Sequence, residues 1–388
     1  MNLSLSRISA CLITLFLFVC FENAQAKPLK VYILAGQSNM QGHARLHTFE
    51  HIGMDPKTAP LLAEMQDEKG DPRVCKNVWI SYLSQNLEKN GKLTAGFGAD
   101  DGKIGPEFTF GTTMEKHLQE PILIIKTAWG GKSVHTDFRS PSAGPYEFSE
   151  QQLENLKKRG RNIDEVKAEK EEATGHYFRL MIEHVKKVLG NIGEVVPDHN
   201  SSDGYELAGF VWFQGWNDLV DSGVYPNRDQ PGGYQAYSDG LAHLIRDVRK
   251  ELEAPEMHFV IGVLGVGGPT SEYGPDRQRY VSTHQNFRNA MAAPAKLPEF
   301  QDNVKVVLTE NYWDPQLQEL TERNDKVKQV AKTVQNEKQL KGPAAQAVVE
   351  EMRDAEFSEE ELEVMEKGIS NQAYHYLGSG KIMAQIGQ

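Results

Sequence analysis

Five short apolar runs recur along the chain: Leu29 to Ala35, Pro121 to Thr127, Leu207 to Gln214, His258 to Leu264 and Val304 to Thr309. Each is rich in Val, Ile or aromatic residues, and their length and β-branched content predict strands. Several are nearly continuous rather than alternating, the pattern of parallel strands covered on both faces. Between them lie segments of helical period. Gly175 to Leu189 sets Phe178, Met181, Val185 and Val188 on one stripe, and Tyr234 to Leu252 does the same with Tyr237, Leu241, Leu244, Ile245 and Val248. Strands alternating with amphipathic helices predict an α/β fold, a three-layer α/β/α sandwich.

Two stretches break this rhythm. The segment of about 151–172 is dense in charge with little apolar stripe and reads as a solvated helical excursion. The segment of about 317–367 is helical in composition throughout, with a capping-box start at Ser358-Glu359-Glu360-Glu361, and reads as a helical insertion. Neither has the basic amphipathic face of a calmodulin target or a DNA-binding helix. With no internal repeat or flexible linker, one domain over 27–388 is the economical organisation.

The longest apolar run lies at the N-terminus, between Ile8 and Phe21, after Arg7 and before Ala24-Gln25-Ala26. Basic, apolar and small-x-small segments in that order predict a signal peptide over 1–26, and hence a secreted or periplasmic protein. The run is short of the ~20 apolar residues a membrane span needs, so no stable membrane insertion is expected after cleavage. Cys11 and Cys20 fall inside the leader and leave Cys75 as the only thiol; it stands in a polar stretch without a neighbouring histidine or glycine turn. The formal charge of -12 has the wrong sign for neutralising phosphates, which argues against nucleic acid as a partner.

Candidate chemistry gathers where the predicted strands end. The first is followed by Gly36-Gln37-Ser38-Asn39-Met40-Gln41-Gly42, a glycine-flanked serine. Loops at the carboxyl ends of parallel strands share one crevice, so Ser38 stands at its floor. The second strand leads into Trp129-Gly130-Gly131-Lys132-Ser133, where a double glycine can turn a backbone N–H toward the crevice. The third leads into Gln214-Gly215-Trp216-Asn217-Asp218, which brings a side-chain amide to the same level. Backbone amides and an Asn side chain are the usual donors to the oxygen that becomes negative when an ester is attacked. By position, His43 and His135 are candidates to line the crevice; His135-x-Asp137 lacks a third partner at metal-ligand spacing, and no metal or cofactor is expected. The glycine-rich Gly262 to Gly268 fits neither the dinucleotide fingerprint nor the phosphate loop.

Ser38, the following glycines, Gly215-x-Asn217-Asp218 and the late Tyr374-His375-Tyr376 resemble the four blocks of the SGNH hydrolases. Gly36-Gln37-Ser38-Asn39, Gly130-Gly131-x-Ser133 and Trp212-x-Gln214-Gly215 resemble the sialate O-acetylesterase and acetylxylan esterase branch of that superfamily. The resemblance implies a flavodoxin-like parallel five-stranded sheet, metal-independent hydrolysis and an acetylated oligo- or polysaccharide as substrate. It implies that Ser38 is the nucleophile and first oxyanion donor, Gly131 the second donor, Asn217 the third and His375 the general base, with Gln37, Gln214, His43 and His135 as substrate-binding candidates. One position departs from the pattern: the acid usually found three residues before the histidine is here Gln372. A remote carboxylate is one replacement, with Asp218 and Asp314 the candidates, and a neutral acceptor is the other. The missing acid also keeps a second reading in view, a carbohydrate-binding α/β protein of weak or no activity.

Overall fold

The computed structural model describes residues 28–85 and 87–388; the expected leader lies outside them. Among the described residues nine strands form in chain order: β1 Leu29–Gly36, β2 Ala44–Arg45, β3 Val78–Leu83, β4 Glu88–Lys92, β5 Lys103–Ile104, β6 Ile122–Ala128, β7 Tyr205–Phe213, β8 Phe259–Val263 and β9 Val304–Leu308. β2 and β5 make a small antiparallel pair, and the other seven make one sheet in the order β4-β3-β6-β1-β7-β8-β9. Within it only β4 runs antiparallel.

All five predicted strands are present. Their order, second-first-third-fourth-fifth, is the flavodoxin-like winding, and the sheet is wider than expected by β3 and β4. β3 is apolar enough to have been read as a strand: Val78, Trp79, Ile80 and Tyr82 are buried, and the one buried polar side chain, Ser81, is satisfied by His184 Nε2 at 3.1 Å. β4, Glu-Lys-Asn-Gly-Lys, carries no apolar signal and owes its form to pairing with β3. A charged, partly exposed strand at the sheet edge discourages pairing with other chains.

Burial follows position. Every residue of the interior strand β6 is buried, whereas the opposite edge strand β9 leaves Val306 and Leu308 exposed. On one face Leu34, Val211, Val260 and Val307 share an apolar cavity lining with Phe110 and Ile386, from helices Glu107–Leu118 and Gly380–Gly387. On the other, Trp212 packs edge-on against Phe138 at 5.0 Å, which in turn touches Tyr177 of helix His176–Gly190. The predicted stripes of that helix and of Gln235–Glu251 are buried in full. The result is the three-layer sandwich.

The charged segment forms helices Glu150–Lys158 and Ile163–Ala173, neither of which has a buried residue. The second segment forms helices Pro315–Glu337, Pro343–Glu356 and Glu359–Gly368. The first of these buries Leu317, Leu320, Val327 and Ala331, and the last begins with a closed capping box, the Ser358 hydroxyl accepting the Glu361 N–H at 3.2 Å while the Ser358 N–H donates to the Glu361 carboxylate at 2.9 Å.

Candidate active site

Gly36, at the end of β1, lies level with Ala128 of β6 and Phe213 of β7, so the three following loops leave the sheet together. A side chain at Gly36 has no room: a Cβ would sit 2.1 Å from the Phe213 carbonyl oxygen. Ser38 then opens a one-turn helix, Ser38–Gln41, closed by the Gly42 N–H donating to the Ser38 carbonyl at 2.9 Å. Gly42 has φ +89° and presses on the Gly105 backbone, so both conformation and space demand glycine there.

Beneath this turn lies a fully buried ion pair. Lys126 of β6 donates to Glu107 at 2.7 Å, to the Phe97 carbonyl at 2.7 Å and to the Gln41 carbonyl at 2.9 Å. The ammonium thus ties the serine turn to the sheet. Burial pushes the Glu107 carboxyl up and the Lys126 ammonium down, and their mutual attraction opposes both shifts.

Ser38, Gly130, Gly131, Asn217 and His375 line one open crevice of about 480 Å³, together with His43, Lys103, Trp216 and Tyr374. Gly130 runs directly alongside the serine, where a Cβ would lie 4.0 Å from Ser38 Cβ. Gly131 holds φ +76° with open space around it. Asn217 is brought in by the short helix Trp216–Val220 at the end of β7.

His375 stands on the turn Ala373–Gly378, late in the chain. Its Nδ1 donates to Asn371 Oδ1 at 3.1 Å, and the same oxygen accepts the Gln372 N–H at 2.8 Å. Because the Gln372 N–H can only donate, the Asn371 atom is the amide oxygen; Nδ1, bonded to the same oxygen, then carries the imidazole proton and Nε2 the lone pair. Burial, reinforced by the Lys103 ammonium, pulls the His375 imidazole down to about 4. Its ring stacks parallel on His43, 4.0 Å away at 2°, and burial together with His375 lowers His43 to about 3. Both rings are neutral at pH 7. The crevice therefore gathers a hydroxyl, an imidazole able to take a proton, and N–H donors able to receive a developing negative charge.

Asn371, a neutral acceptor, occupies the position for which Asp218 and Asp314 were the remote candidates. Asp218 is fully buried and accepts from the Val134 and His135 N–H groups at 2.9 and 3.3 Å, from Gln214 at 2.6 Å and from the Tyr225 hydroxyl at 2.9 Å. Its charge is spent joining the loops after β6 and β7. Asp314 caps helix Pro315–Glu337 through the Leu317 N–H at 3.0 Å and pairs with Lys381 at 2.9 Å.

Three of the four substrate-binding candidates also lie elsewhere. Gln37 and Gln214 are buried; Gln37 Oε1 accepts from Gln214 Nε2 and from the Gly215 N–H, each at 3.2 Å, so the pair ties β1 to β7 below the crevice. His135 turns away to Thr136 at 2.7 Å and Asp221 at 3.4 Å. His43 does line the crevice. Asn371, Lys103, Trp216 and Tyr374 were not among the site residues expected from the sequence. Of these only Asn371 carried a local signal, an amide four residues ahead of the histidine. Cys75 is 1% exposed, and burial pushes its thiol up to about 12.

A doubly wound, mostly parallel sheet with a polar crevice at the carboxyl ends of its strands is an α/β framework of the kind that binds ligands in that crevice. Residues 28–311 match the family described as "carbohydrate esterase, sialic acid-specific acetylesterase". That match covers most of the chain, which belongs to this family. Among solved structures the chain is similar to a carbohydrate acetylesterase from Xanthomonas citri, with 14% identity and a TM-score of 0.42 over 74% of this chain and 51% of that one. It spans about half the length of that protein. It is similar also to a protein from Arabidopsis thaliana (16%, TM-score 0.39, 73% of this chain and 86% of that one) and to NanS (14%, TM-score 0.38, 72% and 78%). No curated protein matches it in sequence.

Proposed function

We propose that the chain is an exported serine esterase that removes O-acetyl groups from carbohydrate. The observation that carries this reading is the convergence of Ser38, Gly130-Gly131, Asn217 and His375, from four distant parts of the chain, on one crevice. Ser38 Oγ attacks the acetyl carbonyl while His375 Nε2 takes its proton. The oxyanion of the tetrahedral intermediate receives the Ser38 and Gly131 N–H groups and the Asn217 amide. Collapse breaks the ester bond, and the imidazolium returns its proton to the departing sugar oxygen. Water, deprotonated by the same imidazole, then attacks the acetyl-serine; acetate leaves and Ser38 is restored.

Export is supported by the basic, apolar and small-x-small order of residues 1–26. Among the described residues no helix is long and apolar enough to cross a membrane.

The test is acetate release from acetylated saccharides by purified protein, abolished by Ser38→Ala with the fold intact. Release undiminished by that substitution overturns the mechanism. The neutral Asn371 at His375 favours one rival, a saccharide-binding protein of little activity, and binding without acetate release would establish it.

A further inference from the structure

Tyr374 is 39% exposed at the mouth of the crevice. Its ring stacks on Trp216 with centroids 5.6 Å apart at 30°, and meets His375 edge-on at 4.4 Å. Each aromatic residue precedes a residue of the proposed machinery: Trp216 stands before Asn217 and Tyr374 before His375. A single exposed aromatic residue is ordinary on a protein surface. This one differs in how firmly it is presented.

The turn that carries it is pinned on its inner side. Tyr376 is fully buried; its hydroxyl accepts the Gly265 N–H at 2.8 Å and bonds Thr309 Oγ1 at 2.6 Å. The Leu377 carbonyl accepts both the Ser370 and the Asn371 N–H at 2.9 Å. Tyr376, Leu377 and Gly378 are all left-handed, with φ of 53°, 60° and 59°. For Tyr and Leu that conformation is sterically unfavourable, so it persists only because these bonds impose it. The kink drives Tyr376 into the core and leaves Tyr374 and His375 facing the crevice. Trp216 is held from below by packing against the core.

The character of the crevice indicates what this surface receives. Among its described lining residues the charged side chain is Lys103, already paired with Asp100 at 2.7 Å. What remains is flat aromatic surface beside hydrogen-bonding groups such as Asn217 and Gln85. That combination suits a ring with one apolar face and a rim of hydroxyls. We propose that Trp216 and Tyr374 form a stacking platform for the neutral pyranose ring that carries the acetyl ester. The proposal rests on the esterase reading above and names the surface that recognises its substrate.

The experiment compares steady-state kinetics on an acetylated methyl xyloside and on ethyl acetate, which has no ring to stack. Tyr374→Ala should raise KM for the xyloside roughly tenfold more than for ethyl acetate, and Tyr374→Phe should preserve the wild-type ratio. Equal changes on the two esters, or a Phe variant as impaired as the Ala variant, overturns the platform. Binding is read independently in the Ser38→Ala protein, where the xyloside should shift tryptophan emission and Trp216→Phe should remove the shift. No shift overturns the platform even if both esters are hydrolysed. A shift with neither ester hydrolysed upholds it while refuting the esterase reading.

Discussion

The serine side and the histidine side of the crevice are built from different forces. The serine turn grows from the end of β1 and is tied down by glycines in close contact and by a fully buried Lys126–Glu107 pair. The histidine turn lies on a late loop, held in a left-handed kink by neutral hydrogen bonds from Tyr376, Leu377 and Asn371. The first arrangement is strong but unforgiving, since a buried charge tolerates no missing partner. The second spreads its restraint over several modest bonds, so single changes there should adjust chemistry rather than unfold the protein.

The sharpest break in that comparison is Lys126→Met. It leaves Glu107 buried and unpaired, and should cost roughly 3–5 kcal/mol of stability, read by urea denaturation at pH 7. A loss under 1 kcal/mol would show that the serine side does not depend on the pair. Next in size is Asn217→Ala: on the proposed mechanism its side-chain hydrogen bond to the oxyanion tightens mainly in the transition state, so kcat should fall roughly 10²- to 10³-fold with a smaller change in KM. A variant that mainly raises KM moves Asn217 to substrate binding.

On the histidine side, Asn371→Ala should lower kcat roughly tenfold, the worth of one hydrogen bond, with stability nearly unchanged. Asn371→Asp supplies a charge that favours the imidazolium. In the wild type the base is neutral above about 4, so kcat/KM should fall only as pH drops through that value. In the Asp variant this acid limb should move upward, and an unmoved limb would place the titration elsewhere. The same shift acts on stability: His375 binds a proton more readily unfolded than folded, so its contribution is complete above about 6.5 and is lost as pH falls toward 4. His43, His184 and His284 are lowered in the same direction and add to that acid sensitivity. The smallest effect belongs to Gln372→Ala. Gln372 stands at the position where the resemblance led one to expect an acid, yet its side chain is exposed and its loss should leave activity within twofold in acetate-release assays.

What the sequence disclosed follows the range of the forces involved. The five predicted strands and the stripes of the two long helices were legible because burial writes itself locally, as a period. The gathering of Ser38, Gly131 and Asn217 was legible because parallel topology puts strand ends together whatever the loops contain. β4 was not legible, since Glu-Lys-Asn-Gly-Lys becomes a strand only through its neighbour. Nor was the Lys126–Glu107 pair: a lysine in an apolar run looks like an interruption until a helix supplies its carboxylate. Asp218 misled for a related reason. Its position after β7 suggested an acid at the site, but four donors, two of them adjacent N–H groups of the loop after β6, had already claimed it. Tyr374 and Trp216 meet only because the turn behind Tyr374 is left-handed, which no spacing announces.

The isolated thiol of Cys75 bears on how the protein can be studied. From residue 27 onward it is the sole cysteine, shut in the core with its ionisation pushed up to about 12. Sulfhydryl reagents need the thiolate and an open path, and the native state offers neither. Alkylation of this one atom therefore counts opening events. Its rate, followed by mass spectrometry, reports how often the core around β3 comes apart, without any engineered probe.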